Sequence, residues 1–330
     1  MRSAFLVVVL LAAGESLEPL PLPDGEGGIG FDDLRFSPEL HKVLAPAGRS
    51  GHLDLIDPKT RAVEAIGGFS SSRGVRGHSQ GTTSADSGAG LLFASDRTRG
   101  TVNVVDPAAK KIVAQAKLGG GPDYVRWVAP LHEVWVTEPG EKAIETFRLE
   151  GQSPPTLTRT GKIEVPDGPE SLEIDADRRR AYSNTWHDST LAVDLDSRKI
   201  ATRWKNGCRG ARGLSLDAQR GFAFVGCEEG KAVALDVGHD GKIVGSVRTG
   251  KGADVIAFGA KLSHLYVPGG DSANLTVVSV RGGGDLEVLG TVPAAPDAHC
   301  ATADDAGNAY ICDPGKGRLL VFRDPYPASR

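Results

Sequence analysis

The sequence lacks three features that would assign it to common functional classes. It contains no Cys-x-x-Cys-His motif, which excludes a covalently attached c-type haem. It has no excess of positive charge, because 38 basic and 42 acidic residues give a formal net charge of −4, and this argues against a nucleic-acid partner. Its most regular stretch, residues 166–204, lacks the apolar periodicity of an amphipathic helix. A covalently attached haem, nucleic-acid binding and a helical fold are therefore not expected.

Residues 166–204 instead contain four short β-rich runs separated by turn residues, a pattern that predicts an antiparallel meander. The third and most regular run recurs along the chain, and its copies end at Asp57, Asp106, Arg148, Asp196, Asp236, Ser279 and Arg323. Copies at intervals of roughly 40 to 50 residues are typical of propeller blades. The sequence thus predicts an all-β fold, a single seven-bladed β-propeller of four-stranded blades over residues 15–330.

The N-terminal region predicts both export and closure of the ring. Residues 1–14 hold one arginine, a short apolar run and then small residues, which is typical of a signal peptide. No cysteine follows the run, so we expect a periplasmic or secreted protein without a membrane anchor. Pro19, Pro21 and Pro23 occupy every second position. Alternate residues of a strand direct their backbone N–H groups to the same edge, so one edge of this strand lacks hydrogen-bond donors at these positions. We therefore expect residues 17–22 to form the outer strand of the last blade.

The four cysteines fall into two symmetric pairs. Cys208 and Cys227 flank one predicted hairpin, and Cys300 and Cys312 flank another, so the partners should face each other across adjacent strands. In an exported protein two disulfides are expected. The alternative for the second pair is that Cys300, beside His299, is a free thiolate and a metal ligand.

Two glycine motifs match functional patterns in form only. GEGGIG, at residues 25–30, matches the dinucleotide fingerprint, but a strand rather than a helix is predicted after it. GHSQG, at residues 77–81, matches the nucleophile elbow of serine hydrolases, but a hairpin is predicted after it. Neither nucleotide binding nor a nucleophilic Ser79 is expected.

The residues that lead into the first strand of each blade should line the entrance of the central channel. The equivalent position is occupied by Asp32, Gln80, Asp123, Glu170, Arg212, Asp254 and His299. Four of these residues are acidic, and like charges in a narrow funnel raise each other's pKa or recruit a cation. Tyr124 and Trp186 belong to the same face, and we expect this acidic mouth to bind a ligand.

Three histidines are predicted at this mouth: His78, His187 and His299. Imidazoles are ligands for transition metals, so they could hold one divalent metal ion in the central channel. Blades two, four and seven lie far apart around the ring, so a second possibility is a metal held by His299 with ring carboxylates. A third is that the histidines are solvated loop residues.

The blade sequences resemble those of the YVTN-repeat, YncE-like propellers. The matching segments are GPESLEIDADRRRAYSNT, GARGLSLDAQRGFAFVGC and AHCATADDAGNAYICDPGKGRLLVF. His299 matches the histidine of the P-H-G-L-x-V-D repeat pattern, and Cys300 stands in place of its glycine. The resemblance implies an exported seven-bladed propeller and assigns no reaction.

A second resemblance, at Asp297 with its preceding proline and in GPESLEI, is to gluconolactonase-like propellers. Those proteins hold a divalent cation in the channel with a Glu, two Asn and an Asp. The resemblance adds Asp297 to the candidate ligand-binding residues and implies an oxygen-rich site in which Asp32 or Asp123 stands in for asparagine.

Three functions follow from these observations. The favoured one is a non-catalytic, monomeric propeller that binds a small molecule or a protein at its acidic mouth. The second is a metal-dependent hydrolase of lactone or ester type, with Glu170 or Asp254 as general base. The third is a redox or metal-handling protein that uses His299 and an unpaired Cys300.

Overall fold

The computed structural model describes residues 17–73, 77–151 and 154–329, so the predicted signal peptide lies outside the described residues. The described chain forms seven antiparallel sheets of four strands each and contains no α-helix. First strands of neighbouring sheets contact one another around a complete ring. The fold is therefore the predicted seven-bladed β-propeller.

The blades are numbered in the chain order of their first strands. These innermost strands are Arg35–Ser37, Ala85–Gly88, Val125–Val128, Glu173–Asp175, Ala211–Asp217, Ala257–Gly259 and Ala301–Ala303. The second strands are Lys42–Pro46, Leu91–Asp96, Glu133–Glu138, Arg180–Asn184, Phe222–Cys227, His264–Gly269 and Asn308–Asp313. The third strands are His52–Ile56, Thr101–Asp106, Ala143–Glu150, Ser189–Asp194, Lys231–Asp236, Asn274–Val280 and Arg318–Arg323. The fourth strands of blades one to six are Val63–Gly67, Lys111–Lys117, Thr156–Glu164, Lys199–Lys205, Lys242–Arg248 and Leu286–Pro293.

The outer strand of blade seven comes from the other end of the chain. Leu17–Pro21 pairs antiparallel with Arg318–Arg323, and Leu17 lies opposite Phe322. Proline has no N–H to donate, so Pro19 and Pro21 are suited to a strand with a neighbour on one side only. Short 3₁₀ turns complete the described secondary structure at Ala129–Leu131, Pro139–Glu141 and Pro314–Lys316.

Apolar side chains fill the spaces between neighbouring blades. Phe93 and Phe147 pack between blades two and three, and Phe224 and Val278 pack between blades five and six. The second and third strands are almost wholly buried, whereas the outer strand Lys199–Lys205 alternates between exposed positions and positions that are half-buried or, at Trp204, buried. This packing makes the blades rigid supports for the loops at the channel entrance.

Both predicted disulfides form. The Cα atoms of Cys208 and Cys227 are 5.4 Å apart, and those of Cys300 and Cys312 are 5.6 Å apart. Each bridge joins the segment before a first strand to the second strand of the same blade. Two such bridges fit an oxidising environment. Among the described residues, no helix has the length and apolar character needed to cross a membrane.

Candidate functional site

The entrance of the central channel opens into a cavity of about 970 Å³. Its wall is built from the segments that lead into first strands and from loops between second and third strands. Its lining includes the predicted residues Asp32, His78, Asp123, Tyr124, Glu170, Trp186, Arg212, Asp254, Asp297 and His299. Residues from all seven blades therefore meet in one cavity.

Two residues predicted for this face lie elsewhere. His187 is exposed and is not part of the described cavity wall, and its backbone carbonyl accepts a hydrogen bond from the Ala211 N–H at 2.8 Å. The loop of blade four presents Trp186 to the cavity instead. This corrects the predicted set of three histidines, because the described groups that could share a metal include one of His78, Asp254 and His299 but none with His187. Gln80 is likewise absent from the wall, where His78 lies instead.

Arg97 is a mouth residue that the sequence did not reveal. It lies between the second and third strands of blade two, the position that supplies Trp186 in blade four. Its guanidinium pairs with Asp32 at 2.7 Å and with Asp123, and it donates to the His78 carbonyl oxygen at 2.6 Å. Because Arg97 occupies the same loop as Trp186 does in its blade, a comparison of these loops in the sequence could have identified it as a mouth residue. Arg97 thus holds two ring carboxylates and the backbone of His78 together.

A second guanidinium, that of Arg212, organises the opposite part of the mouth. It donates to Glu170 at 2.8 Å and to Glu228 at 2.9 Å. It also lies over the indole of Trp186, 4.7 Å from the ring centroid. Trp186 nevertheless remains 46% exposed, which makes it the most exposed of the described large hydrophobic residues. Its free surface offers an aromatic platform beside charged groups.

Carboxyl groups outnumber positive groups in this cavity. The lining carboxyl groups belong to Asp32, Asp123, Glu170, Glu228, Asp254, Asp271 and Asp297. Burial raises the pKa of Glu170 to about 8, and the charge of Asp254 adds to the rise against the opposing effect of Arg212. Burial also raises the pKa of Asp123 well above its usual range, despite the contact with Arg97. The mouth therefore retains protons that a bound cation could replace.

The raised pKa of Glu170 predicts a pH-dependent stability difference. Between pH 4.5 and about 8 the unfolded chain releases this proton while the folded protein keeps it, so folding is progressively penalised as pH rises. We expect Glu170→Gln to remove this penalty. The Tm of the variant minus the Tm of wild type, both measured at the same pH, should therefore increase by roughly 2–5 °C between pH 4 and pH 9.

Differential scanning calorimetry across this pH range provides the measurement. Glu228→Gln is the matched control, because it removes the exposed carboxylate that shares the same guanidinium. A Glu170→Gln profile parallel to wild type at every pH would show that Glu170 ionises normally in the folded protein.

His299 lies between two backbone carbonyl oxygens. Its Nδ1 is 2.6 Å from the Asp297 carbonyl oxygen and its Nε2 is 3.1 Å from that of Phe31. Carbonyl oxygens only accept hydrogen bonds, so the protonated imidazolium satisfies both contacts. Burial alone lowers the pKa of His299, but the charges of Asp254 and Asp32 help to outweigh it and the pKa is raised. The two carbonyl contacts and the nearby carboxylates thus both favour the imidazolium form of His299.

The alternative for the second pair, a thiolate next to His299, is excluded by the structure. Cys300 is bonded to Cys312, and no described cysteine is free. The prediction of a redox or metal site built on an unpaired Cys300 is therefore wrong. The reason is geometric, because the hairpin register places the two cysteines on adjacent strands within disulfide reach.

The oxygen set implied by the gluconolactonase-like resemblance is also incomplete. The described cavity wall has Glu170 and several aspartates but no asparagine. Asp32 and Asp123, the expected substitutes, are both occupied by the guanidinium of Arg97. These residues do not fit that cation site.

The two glycine motifs, at residues 25–30 and 77–81, contribute backbone segments to the cavity wall. Gly30 approaches the loop of Gly77 so closely that an added Cβ would lie 1.9 Å from the Gly77 carbonyl oxygen. Ser79 lines the cavity, but the next element is the strand Ala85–Gly88 and not the helix that a nucleophile elbow requires.

Further along the channel lies a buried layer of ion pairs from blades one to four. The Arg126 guanidinium bonds both carboxylate oxygens of Asp33, at 2.6 and 3.1 Å, and reaches Glu173 at 3.3 Å. Arg35 pairs with Glu173 at 2.8 Å and with Asp86 at 2.9 Å. These contacts join four first strands and lie directly behind the mouth residues of the same blades.

No protein-family model matches the chain, and no curated protein matches it. Solved structures do match its fold. A chain from the mitotic checkpoint complex aligns with a TM-score of 0.76 and 13% identity over 98% of this chain and 99% of that chain. Hydrazine synthase from Kuenenia stuttgartiensis aligns with a TM-score of 0.72 and 14% identity over 91% and 96%. The Cps50 (Swd1) β-propeller domain of Myceliophteria thermophila aligns with a TM-score of 0.70 and 13% identity over 90% and 98%.

Identities this low establish the propeller architecture and carry no information on ligand or reaction. The resemblance to YncE-like propellers therefore stays a prediction.

Proposed function

We propose that this chain is an exported, YncE-like propeller that binds a positively charged small molecule at the acidic mouth of its central channel and catalyses no reaction. The observation that carries the proposal is the excess of carboxyl groups over positive groups in one concave cavity. Export is supported by the N-terminal sequence pattern and by the two disulfides.

The charge of the cavity favours a cation over an anion. Burial raises the pKa of Asp123 and Glu170, and the charges of neighbouring carboxyl groups add to the rise. A cationic ligand supplies the positive charge that the wall lacks and replaces the protons that these groups retain. Its affinity should therefore increase as the pH rises toward 8.

The shape of the cavity favours a small molecule over a protein partner. A volume of about 970 Å³ lies at the upper end of the range for small-molecule sites, and the site is a concavity and not a flat surface. Trp186 places an exposed aromatic surface at its rim, where the ring can contact an alkylammonium group. The Arg212 guanidinium holds this ring by stacking on it.

Tryptophan fluorescence gives a direct test with spermidine as the cationic probe. We expect saturable binding that changes the emission of Trp186, with an affinity at least threefold higher at pH 8.5 than at pH 6. Trp186→Phe should abolish most of the optical change, and Asp32→Asn with Asp254→Asn should weaken binding about tenfold or more.

Glutamate at the same concentrations serves as the anionic control and should not bind. Tighter binding of glutamate than of spermidine, or equal binding of spermidine to wild type and to the double variant, would contradict the proposal.

A further inference from the structure

We propose that His78, Asp254 and His299 form a binding site for one divalent transition-metal ion, such as Zn²⁺, at the channel entrance. The inference rests on the proposed function, because the ion would be a cation bound within the same cavity. It goes further in naming the class of ion and the three side chains that coordinate it.

The three side chains already form a compact set of donors. One ligand atom from each lies within 4.8 Å of the other two. Around a tetrahedral zinc with bonds of about 2.0 Å, ligand atoms are roughly 3.3 Å apart, so a small contraction completes the site. The rings of His78 and His299 meet edge to face with centroids 6.0 Å apart. His78 is exposed, so rotation of its side chain can provide the contraction.

Backbone hydrogen bonds fix the separation of the other two ligands. The N–H groups of Asp254 and Val255 donate to the His299 carbonyl oxygen at 3.1 and 3.0 Å. These bonds join the entry segments of blades six and seven, and the Cys300–Cys312 bridge anchors the residue after His299. Asp254 and His299 are thus carried by segments that are held in place before any ion binds.

The hydrogen bonds of His299 prepare it for coordination through Nε2. Its Nδ1–H donates to the Asp297 carbonyl oxygen at 2.6 Å, the contact by which metal-binding histidines are commonly oriented. Nε2 then carries the only proton that must be released, and this proton is donated to Phe31 at 3.1 Å in the absence of an ion. The ion replaces that proton, which leaves to solvent.

Among the four acidic ring positions, Asp254 is the one that no guanidinium binds. Asp32 and Asp123 are bound by Arg97, and Glu170 is bound by Arg212. Within the described chain, no hydrogen bond or ion pair engages the Asp254 carboxylate, although the imidazoles of His299 and His78 lie beside it. A carboxylate with no direct partner beside two imidazoles is the arrangement that a divalent ion completes.

The donor types determine which ions should bind. Two imidazole nitrogens and one carboxylate oxygen favour zinc, copper and nickel over calcium and magnesium, which prefer sites made wholly of oxygen. The sulfur atoms near His299 are not alternative ligands, because both belong to a disulfide. Three protein ligands leave a coordination position for water or a second ligand.

Calorimetric titration of the chelator-stripped, disulfide-bonded protein with ZnCl₂ tests this site. We expect one Zn²⁺ per chain, with affinity reduced more than about 100-fold in His299→Ala and about 10- to 100-fold in Asp254→Asn and His78→Ala. His187→Ala is the matched control, because it removes an exposed histidine of blade four that does not line the described cavity wall. This variant should change the zinc affinity less than twofold. CaCl₂ under the same conditions should give no saturable heat.

Three results would overturn the inference: no zinc binding, equal affinity in all variants, or a loss in His187→Ala as large as in His299→Ala. If His299→Ala fails to fold, the exposed His78→Ala variant decides the question. Spermidine titration of the same sample separates this inference from the proposed function. Spermidine binding without zinc binding overturns the metal site alone, whereas failure of both probes overturns both.

Discussion

Replacing Arg126 with methionine is expected to lower the stability of the folded protein by about 3–5 kcal/mol, which corresponds to a fall in Tm of roughly 4–7 °C. Arg126 is only 2% exposed and joins blade three to Asp33 of blade one and Glu173 of blade four. Burial raises the pKa of Asp33, and Arg126 is the main group that opposes the rise. Methionine would leave that carboxyl buried without its counter-charge. Thermal unfolding measured by calorimetry gives the change.

The control for this prediction is Arg179→Met, which breaks an ion pair with Asp196 on the surface. Exposed pairs contribute little to stability, so this variant should unfold within about 1 °C of wild type. Adding Asp33→Asn to Arg126→Met should recover part of the loss, because it removes the uncompensated charge. Equal losses in the Arg126 and Arg179 variants would show that the buried layer does not stabilise the ring.

Removing the Cys300–Cys312 bridge is expected to affect both stability and the mouth. Replacing both residues with alanine frees a segment with a sequence separation of 12, and loop-closure entropy predicts a loss of about 3 kcal/mol. Cys300 follows His299 directly, and the Cys300 N–H lies 3.1 Å from the Cys312 sulfur. The Asp254 N–H donates to the His299 carbonyl oxygen, so loss of the bridge should also displace Asp254 and weaken spermidine binding about tenfold.

The Cys208–Cys227 bridge is a matched control within the same chain. Its sequence separation of 19 predicts a similar loss of stability, about 3 kcal/mol, when both cysteines are replaced by alanine. Neither cysteine lines the described cavity, so spermidine binding should stay within about twofold of wild type. Calorimetry and the fluorescence titration measure the two effects separately. Equal binding losses in both double variants would indicate a general destabilisation and no specific support of the mouth.

The fold could be predicted because the same pattern of strands and turns is repeated in every blade. Each blade buries a β-rich third strand, so the pattern recurs seven times and identifies the architecture despite weak individual strands. The ring positions follow from the same repetition, because each blade sends the start of its first strand to the channel. This is why Asp123 and Glu170 could be assigned to one cavity although 47 residues separate them in the chain.

Pairing within the cavity could not be predicted in the same way. Arg97, which holds Asp32 and Asp123, comes from a loop whose conformation is set by one blade and not by the repeat. Loop geometry also decides that Trp186 faces the cavity whereas the adjacent His187 does not. The burial that raises the pKa of Glu170 depends on neighbours from several blades, and no local sequence pattern records it.

A crystal structure of the wild-type protein grown with spermidine at pH 8.5 tests the central claim most directly, namely that the channel mouth is a cation-binding site. The account predicts ordered electron density inside the cavity, with amine nitrogens within hydrogen-bond distance of the ring carboxylates and an alkyl segment against Trp186. An empty cavity at saturating spermidine, or spermidine bound only on the outer surface of the blades, would contradict it.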